Sequence, residues 1–276
     1  MRVAGIEIVG ESISGFGTSI SLPELNITLD CGVITPTAMK CQHVLITHGH
    51  LDHFHCIDRH AYLRAMTGTP GTSIFYVPPW LVKAVHEKFE ATARAQHRTD
   101  MPEYKVVVVA PGETVEIRKG LCIRPFKTIH RIPSQGYVIL DVRQKLKAEF
   151  QGVEGQEIGR LRKSGVEVTE RVEVPLVAFT GDTQAKVFDR EGVDDALRAK
   201  VLITECTFLG PDQDAAFARK RGHIHLDELA ERASLFEGNE AVMFAHFSQR
   251  YTNREIEAAM ALLPEPLRSR ATYLPV

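Results

Sequence analysis

Paired cysteine spacings and long hydrophobic runs are missing from this sequence. The five cysteines are dispersed, odd in number and without any Cys-x-x-Cys spacing, which argues against a disulfide framework and for a reducing compartment. No apolar run reaches the roughly 18 residues of a membrane span, and no early apolar segment resembles a signal peptide. We therefore expect a cytoplasmic protein that has no membrane partner.

An excess of charge of one sign is missing as well. The chain has 33 lysines and arginines against 35 aspartates and glutamates, a formal net charge of −2 at pH 7. This balance gives no global sign of a nucleic-acid partner but leaves room for a local basic patch. The hydrophobic fraction of 44% and the charged fraction of 25% are ordinary for a globular protein.

Short strand patterns alternate with helical patterns along the chain. Strands are predicted at Ala4–Val9, Thr18–Ser21, Asn26–Leu29, Gln42–Thr47, Ser73–Val77, Lys105–Ala110, Thr114–Ile117, Leu121–Phe126, Gly136–Asp141, Pro175–Thr180, Lys200–Thr204 and Ala241–Ala245. Helices are predicted at His55–Met66, Pro79–Gln96, Asp212–Lys220, Leu226–Phe236 and Asn253–Leu263. This order predicts an α/β fold of two mixed sheets with helices on their outer faces.

A polar, glycine-dotted segment at 142–173 interrupts the strand series. Its local patterns predict short helical pieces at Arg143–Phe150 and Gln156–Lys163. We expect one domain over residues 1–276, with this segment as an insertion.

The densest chemical signal is Thr47-His48-Gly49-His50-Leu51-Asp52-His53, directly after a predicted buried strand. These imidazoles and the carboxylate cannot all face a core, because buried polar groups without partners are costly. Neutral imidazole nitrogen and carboxylate oxygen are ligands that Zn²⁺ prefers. The alternation at 48, 50 and 52 places three ligands on one side of an extended segment and His53 on the other, which favours two adjacent metals.

Three further ligand candidates, His130, Asp182 and His246, each follow a predicted strand. For any one of them alone, capping of the next helix is an equally good interpretation. Together with the cluster they supply seven ligands, enough for two metals if one carboxylate bridges. Two metals about 3.5–4 Å apart can activate a shared water and hold both oxygens of a phosphoryl displacement.

The stretch His48–His53 resembles the HxHxDH signature of the metallo-β-lactamase superfamily, whose fold is an αββα sandwich. Further stretches resemble the tRNase Z family, and they are His130–Ile139 (HRIPSQGYVI), Phe179–Thr183 (FTGDT), Thr204–Leu209 (TECTFL), Gly222–Leu226 (GHIHL) and His246–Tyr251 (HFSQRY). The resemblance is closest to short-form, plant-like members. It extends over nearly the whole chain and includes Arg143–Lys147 and Ser164–Thr169.

The resemblance implies two Zn²⁺ ions per chain, with Mn²⁺ or another divalent metal as an alternative. One ion would be held by His48, His50 and His130, the other by Asp52, His53 and His246, with Asp182 bridging them. The implied catalytic residues are Asp52, Glu205 and His223, with His223 placed to protonate the leaving 3′-oxygen. Asp30 matches a residue that orients a ligand imidazole, and capping the turn at Cys31-Gly32 is an equally good interpretation.

The stretch Phe54–Asp58 departs from the family, whose members generally have Gly-Gly-Leu there. His55 and Cys56 are possible extra ligands, but reshaping of the rim beside the metals is the preferred interpretation.

Contacts with RNA have weaker support in the sequence. Between Arg118 and Lys147 eight basic residues stand against one acidic residue. In tRNase Z an arm in the position of residues 142–173 grips the tRNA elbow, so the resemblance implies RNA contacts by Lys145, Lys147 and Arg250. It also implies a homodimer, in which one subunit's arm holds the tRNA that the other cuts.

Three functions remain in competition. The first is a zinc-dependent endoribonuclease that removes the 3′ trailer from precursor tRNA and leaves a 3′-hydroxyl. The second is a phosphodiesterase of the same fold that acts on small phosphodiesters. The third, a non-catalytic RNA-binding relative, is disfavoured because every expected ligand and the Glu205–His223 pair are present.

Overall fold

The computed structural model describes residues 1–276. Its β-strands are β1 (Arg2–Val3), β2 (Ile6–Glu7), β3 (Val9–Ser14), β4 (Gly17–Leu22), β5 (Ile27–Leu29), β6 (His43–Leu45), β7 (Ser73–Val77), β8 (Tyr104–Val108), β9 (Val115–Arg118), β10 (Leu121–Lys127), β11 (Gln135–Leu146), β12 (Thr169–Phe179), β13 (Val201–Glu205), β14 (Ala241–Ala245), β15 (Phe247–Ser248) and β16 (Ala271–Tyr273). Its α-helices are α1 (Pro36–Lys40), α2 (Leu51–Phe54), α3 (Ile57–Met66), α4 (Val82–Ala95), α5 (Gly155–Lys163), α6 (Asp194–Arg198), α7 (Ala215–Arg221), α8 (Leu226–Ala230), α9 (Asn253–Met260) and α10 (Leu267–Arg270). None of these helices combines the length and the hydrophobicity that crossing a bilayer requires.

Two seven-stranded sheets form the centre of the fold. The first sheet has the order β15-β3-β4-β5-β6-β7-β8, and the second has the order β16-β14-β13-β12-β11-β10-β9. Both are mixed: for example, β3 pairs antiparallel with β4 while β5 pairs parallel with β6. The predicted sandwich of two mixed sheets is confirmed.

The hydrophobic core is layered, as the alternation along the central strands requires. In β11, Tyr137 and Ile139 point into the core between the two sheets. Val138 and Leu140 point the other way, into the core between the second sheet and its helices. A third core packs α3 and α4 against the first sheet and includes Phe75. Strands buried on both faces read as continuous hydrophobic runs, and this is why the strand signals were clear.

The two longest strands, β11 and β12, continue beyond the sheet as a two-stranded hairpin. Their antiparallel pairing runs outward from Val142↔Glu173 to Leu146↔Thr169. A 3-10 helix at Ala148–Phe150 and α5 form its tip, and α5 buries no side chain. We call residues 142–173 the hairpin.

Three of the predicted elements are wrong. The helix predicted at Leu226–Phe236 ends as α8 at Ala230 and is followed by a 3-10 helix at Ala233–Gly238. The helical piece at Arg143–Phe150 is strand up to Leu146, because pairing with β12 overrides the local helical preference. The strand at Ala4–Val9 is broken, since Ala4 and Gly5 have φ of 44° and 80° and turn the chain back on itself. The helical piece predicted at Gln156–Lys163 is confirmed as part of α5.

Candidate metal centre and active site

The candidate ligands collect at one edge of the two sheets. His48, His130 and Asp182 lie shortly after β6, β10 and β12, and His246 directly follows β14. Because β12, β13 and β14 are parallel neighbours, their carboxyl ends meet at the same edge. His246 stands where the chain passes from the second sheet to β15 of the first, with a left-handed φ of 60°.

The sequence predicts an extended segment from Thr47 to His53, but the structure is extended over only the first part of it. Helix α2 begins at Leu51, so Asp52 and His53 lie on its first turn. Gly32 packs closely beneath it, and a Cβ there would lie 1.8 Å from the backbone oxygen of Asp52. The prediction was wrong about the backbone, yet the side chains still converge.

The first group of ligand atoms belongs to His48, His50 and His130. His48 Nε2 and His130 Nε2 lie 3.0 and 3.1 Å from His50 Nδ1. Asp182 Oδ2 lies 3.7 Å from both of those Nε2 atoms. All four residues are mutually within reach of one ion.

The second group belongs to Asp52, His53 and His246. His246 Nε2 lies 3.2 Å from His53 Nε2 and 3.4 Å from Asp52 Oδ2. The other carboxylate oxygen of Asp182, Oδ1, lies 3.1 Å from His53 Nε2. Asp182 therefore stands between the two groups, with one oxygen toward each.

Two observations indicate that these residues fit metal ions. A neutral imidazole has only one N–H, so ring nitrogens packed this closely cannot all bond to one another. Asp182 Oδ1 is buried and accepts no well-formed hydrogen bond despite its nearness to His53. Lone pairs that turn toward a shared space in this way suit divalent cations with imidazole and carboxylate ligands.

Surrounding groups hold the outer nitrogens of the histidine rings. Asp30 is fully buried, and its Oδ2 lies 2.7 Å from His53 Nδ1 while its Oδ1 accepts a hydrogen bond from Thr47 N at 2.8 Å. His130 Nδ1 donates to Gly222 O at 2.8 Å. Of the two interpretations of Asp30, the structure therefore supports the orienting one. Such contacts fix the ring and leave its other nitrogen for a metal.

Electrostatics favour the neutral histidine and the ionised aspartate that a metal needs as ligands, except at His53. Burial lowers the pKa of His48 well below its usual value and keeps the ring neutral. Burial opposes ionisation of Asp182, but the charges of His246 and His53 hold its pKa well below the usual range. Burial also disfavours the charged form of His53, yet Asp182 and Asp30 raise its pKa well above normal. A metal that binds His53 must displace its proton.

Glu205 is a buried carboxylate beside the cluster that accepts four hydrogen bonds. Its Oε1 accepts hydrogen bonds from Thr183 N at 2.7 Å and from His223 Nδ1 at 3.0 Å. Its Oε2 accepts from Thr207 Oγ1 at 2.7 Å and from Ile224 N at 3.0 Å. Glu205 is thus a buried anchor for the loop that carries His223.

His223 is the side chain best placed to move a proton. Burial disfavours its charged form, but the charge and hydrogen bond of Glu205 raise its pKa to about 9. Its Nδ1 lies 3.9 Å from Asp182 Oδ2, and its side chain is 15% exposed. Since Glu205 occupies Nδ1, Nε2 is left free for a ligand.

The chain is similar to known proteins over nearly its whole length. A profile of the beta-lactamase superfamily domain matches residues 30–247. The tRNase Z TRZ1 of Arabidopsis thaliana is 40% identical over 276 residues, which cover 99% of this chain and 96% of the plant protein. This chain belongs to the tRNase Z family.

Solved structures agree on the fold. The metallo-beta-lactamase fold protein YhfI from Bacillus subtilis aligns with a TM-score of 0.63 at 17% identity, over 98% of this chain and 96% of that chain. Human tRNase Z, short form, aligns with a TM-score of 0.60 at 19% identity, again over 98% of this chain and 96% of that chain. At these identities the likeness shows the fold alone.

Two clefts flank the metal centre and share Arg131. The first, which we call the His223 cleft, has a volume of ≈ 270 Å³ and is lined by Ser14, Arg131, Thr207, Phe208, Gln213, Phe217, Arg221, His223, Ser248 and Arg250. The second, the Trp80 cleft, has a volume of ≈ 480 Å³ and is lined by Trp80, Pro111, Lys127, Thr128, Ile129, His130, Arg131, Ile132, Pro133, Ser134 and Arg190. No carboxylate lines either cleft.

The residues predicted to contact RNA lie in two separate places. Arg250 is exposed, lines the His223 cleft and forms no ion pair, so a structural role in an ion pair is not observed. Lys145 is exposed on the hairpin. Lys147 lies beside it, with Nζ 3.9 Å from Glu167 Oε2, so part of its charge is already offset.

The basic run from Arg118 to Lys147 does not form one patch. Arg124 pairs with both Glu173 and Asp195. Arg143 pairs with Asp141. Sequence counting could not anticipate these partners because most of them lie far away in the chain.

The unusual stretch at Phe54–Asp58 adds no ligand to either group. His55 is exposed, and the Cys56 thiol is turned toward Gly32 O at 3.3 Å. Neither residue belongs to the groups that could hold an ion.

Sequence reasoning missed one linking side chain, Thr207. Its hydroxyl donates to Glu205 and lies 3.2 Å from His246 Nδ1, so it connects the proton-donor pair to a candidate ligand. The available signal was its position two residues after Glu205 in a stretch that already resembled the family.

Proposed function

We propose that this chain is a zinc-dependent endoribonuclease that removes the 3′ trailer from precursor tRNA and leaves a 3′-hydroxyl on the tRNA. The observation that carries the proposal is the His223–Glu205 pair beside the seven-residue cluster, in a chain with a plant relative named tRNase Z. A metal cluster alone suits many hydrolases. A fixed imidazole beside it suits a reaction whose leaving group is a poor one, such as a ribose alkoxide.

Two divalent ions fit the ligand groups, and zinc is the one that their imidazole-rich chemistry favours. His48, His50 and His130 would hold one ion, Asp52, His53 and His246 the other, with Asp182 between them. Mn²⁺ or another divalent metal can take the same ligands. Bound metals would activate a water at neutral pH and offset the charge of the phosphate.

The side chains of this chain supply the proton transfers. The water oxygen forms a bond to phosphorus while the bond from phosphorus to the 3′-oxygen breaks, and His223 gives its Nε2 proton to that oxygen. Asp52 accepts the proton of the attacking water, with its Oδ2 oriented by the backbone N–H of Gly15 at 2.7 Å. Glu205 acts through His223, which it orients and keeps charged. The trailer departs with a 5′-phosphate.

The position of His223 also orients the RNA. The departing 3′-oxygen belongs to the last nucleotide of the tRNA, so that nucleotide lies in the His223 cleft. Arg131, Arg221 and Arg250 line this cleft without ion pairs, and such guanidinium groups can fork onto phosphate oxygens.

The hairpin is the arm of this enzyme in our proposal. Because β11 and β12 carry it away from the sheets, Lys145 and Lys147 can contact tRNA at a distance from the cut. A homodimer, in which each hairpin serves the other subunit's metals, would span that distance. In this proposal the enzyme acts in the cytoplasm. It consists of one domain with the hairpin as an inserted arm.

Incubation of the purified protein with a 3′-extended tRNA tests the proposal. We expect a tRNA fragment with a 3′-hydroxyl and a trailer with a 5′-phosphate, and no cutting after chelation. Hydrolysis of bis(p-nitrophenyl) phosphate without any cutting of the precursor would instead favour the small-phosphodiester alternative. Binding of the tRNA without turnover of either substrate would favour a non-catalytic RNA-binding protein.

A further inference from the structure

The Trp80 cleft contains an exposed aromatic side chain beside the metal centre. Trp80 is the only tryptophan of the chain, and it is 42% exposed although a large aromatic ring gains by burial. Its neighbour Leu81 packs on the candidate ligand segment, residues 47–53, where a Cβ on Gly49 would lie 2.9 Å from Leu81 Cδ2. His130, a candidate ligand, lines the same cleft. The ring therefore lines a cleft that reaches the candidate ligand His130, and it is left open to a ligand.

The charge of the cleft is entirely positive. Lys127, Arg131 and Arg190 line it, all three are exposed, and none forms an ion pair. A neighbouring cleft gives the contrast: its Arg124 and Arg198 are both paired with Asp195, which also lines it. In a chain with a net charge of −2, three unpaired cations and no carboxylate in one cleft favour an anionic ligand.

The path of the RNA assigns this ligand. Arg131 lines both clefts, so the two clefts adjoin at this residue beside the candidate metal centre. If the last tRNA nucleotide lies in the His223 cleft, the strand beyond the cut phosphate continues on the other side of His130. We propose that the Trp80 cleft binds the first nucleotides of the 3′ trailer as a single strand, with a base stacked on Trp80 and phosphates on Lys127, Arg131 and Arg190.

The chemistry and the size of the cleft agree with that occupant. Proteins hold single strands by combining a basic groove with aromatic rings on which bases stack, without reading sequence. A volume of ≈ 480 Å³ lies within the usual range of ligand sites, about 300–1,000 Å³. This proposal rests on the proposed function, because it takes the polarity of the strand from the role of His223.

The sole tryptophan makes a direct test possible. A 5′-phosphorylated ribo-pentaadenylate, which has the form of the released trailer, is titrated into the metal-loaded wild-type protein while tryptophan fluorescence is recorded. We expect saturable quenching, because a base stacks on Trp80. An abasic pentamer of equal charge should bind about 10-fold or more weakly, in line with the measured value of one stacked base. Equal affinity for both pentamers would overturn the proposal.

Variants separate stacking from charge. Trp80→Ala should weaken binding of a labelled pentamer, measured by anisotropy, while Trp80→Phe should restore much of it. Arg190→Ala should reduce the salt slope of log Kd by about 0.7, the value for one phosphate contact on a single strand. The matched control is Lys83→Ala on the adjacent helix, whose side chain is 88% exposed and pairs with Glu87. An equal effect of the Lys83 and Arg190 changes would contradict the proposed contact.

The test also distinguishes this proposal from the proposed function. Pentamer binding at Trp80 in a protein that leaves precursor tRNA uncut would refute the proposed function but support binding of a single strand in the Trp80 cleft. Normal cutting by Trp80→Ala, with KM independent of trailer length, would refute trailer binding in the Trp80 cleft and leave the proposed function in place. Quenching that increases with protein concentration in the absence of RNA would assign the cleft to a second copy of the chain and overturn the proposal.

Discussion

Replacement of His223 by alanine should slow cleavage of precursor tRNA by about 10²–10⁴-fold in kcat, the usual value of a positioned acid. This corresponds to about 3–5 kcal/mol of transition-state stabilisation. The structure supports this magnitude because Glu205 keeps the ring charged, with a pKa of about 9, so that the proton is present at neutral pH. Without this proton the ribose 3′-oxygen must leave as an alkoxide, and the activation free energy rises by that amount.

The same change should leave the fold nearly intact. Glu205 Oε1 loses His223 but keeps the hydrogen bond from Thr183 N at 2.7 Å, and Oε2 keeps both of its partners. We expect a loss of about 1.5–3 kcal/mol in the free energy of unfolding, the usual value of one hydrogen bond to a charged group. His223→Asn, whose amide can still donate to Glu205, should regain stability without regaining activity.

Bis(p-nitrophenyl) phosphate decides between an acid and a structural role. Its leaving group departs without a proton, so His223→Ala should hydrolyse it at nearly the wild-type rate. His55→Ala, at an exposed histidine beside the metal loop, is the matched control and should leave both reactions unchanged. His223, Asp182 and His246 also lie close enough together to hold one metal ion. Equal losses on both substrates, together with a loss of bound metal, would therefore show that it is a ligand and refute the reasoning.

The metal ions, the hairpin, the buried His60 and the dimer can each be tested directly. Elemental analysis of protein purified without chelators should find two zinc ions per chain, and full activity with less than one metal per chain would contradict the dinuclear site. Replacing Lys145 and Lys147 by alanine should weaken tRNA binding and lower its salt slope by up to about 0.9 per lost phosphate contact, with small-ester hydrolysis unchanged; an unchanged slope would remove the arm proposal. Burial lowers the pKa of His60 to about 4 from 6.5. The unfolded chain therefore binds a proton at this residue before the folded protein does, so the free energy of unfolding is full above pH 6.5 and falls as the pH decreases toward 4. Urea unfolding should find about 2 kcal/mol lost to this group between pH 7 and pH 5, and His60→Gln with an undiminished acid loss would contradict it. A mixed dimer of a subunit lacking residues 143–172, closed by an Asn-Gly turn, and a His48→Ala subunit should regain precursor cleavage that neither parent has; confirmed mixed dimers without activity would place grip and cut on one chain.

The sequence predicted that the candidate ligands converge, because the ends of buried strands can be recognised from the local sequence. Buried strands have clear apolar patterns, and a polar ligand directly after one is visible without knowledge of its neighbours. His130, Asp182 and His246 were found in this way, and the structure brings them to the same edge. The turn of the backbone at Leu51 was missed because it depends on packing against Gly32, a residue of another segment.

Features that depend on distant pairing could not be predicted. Residues Arg143–Leu146 have a helical preference by themselves, but their partners at 169–172 hold them as a strand. The Trp80 cleft combines residues at 80, 111, 127–134 and 190. Whether Lys127 or Arg124 keeps a free charge is decided by acidic neighbours far away in the chain.

The position of His246 has a consequence for how this enzyme is made. The chain crosses from the second sheet to the first at this residue, so the ligand set needs both sheets and the pairing of β15 with β3. In the proposed enzyme the site is therefore complete only after His246 has reached that edge and β15 has paired with β3.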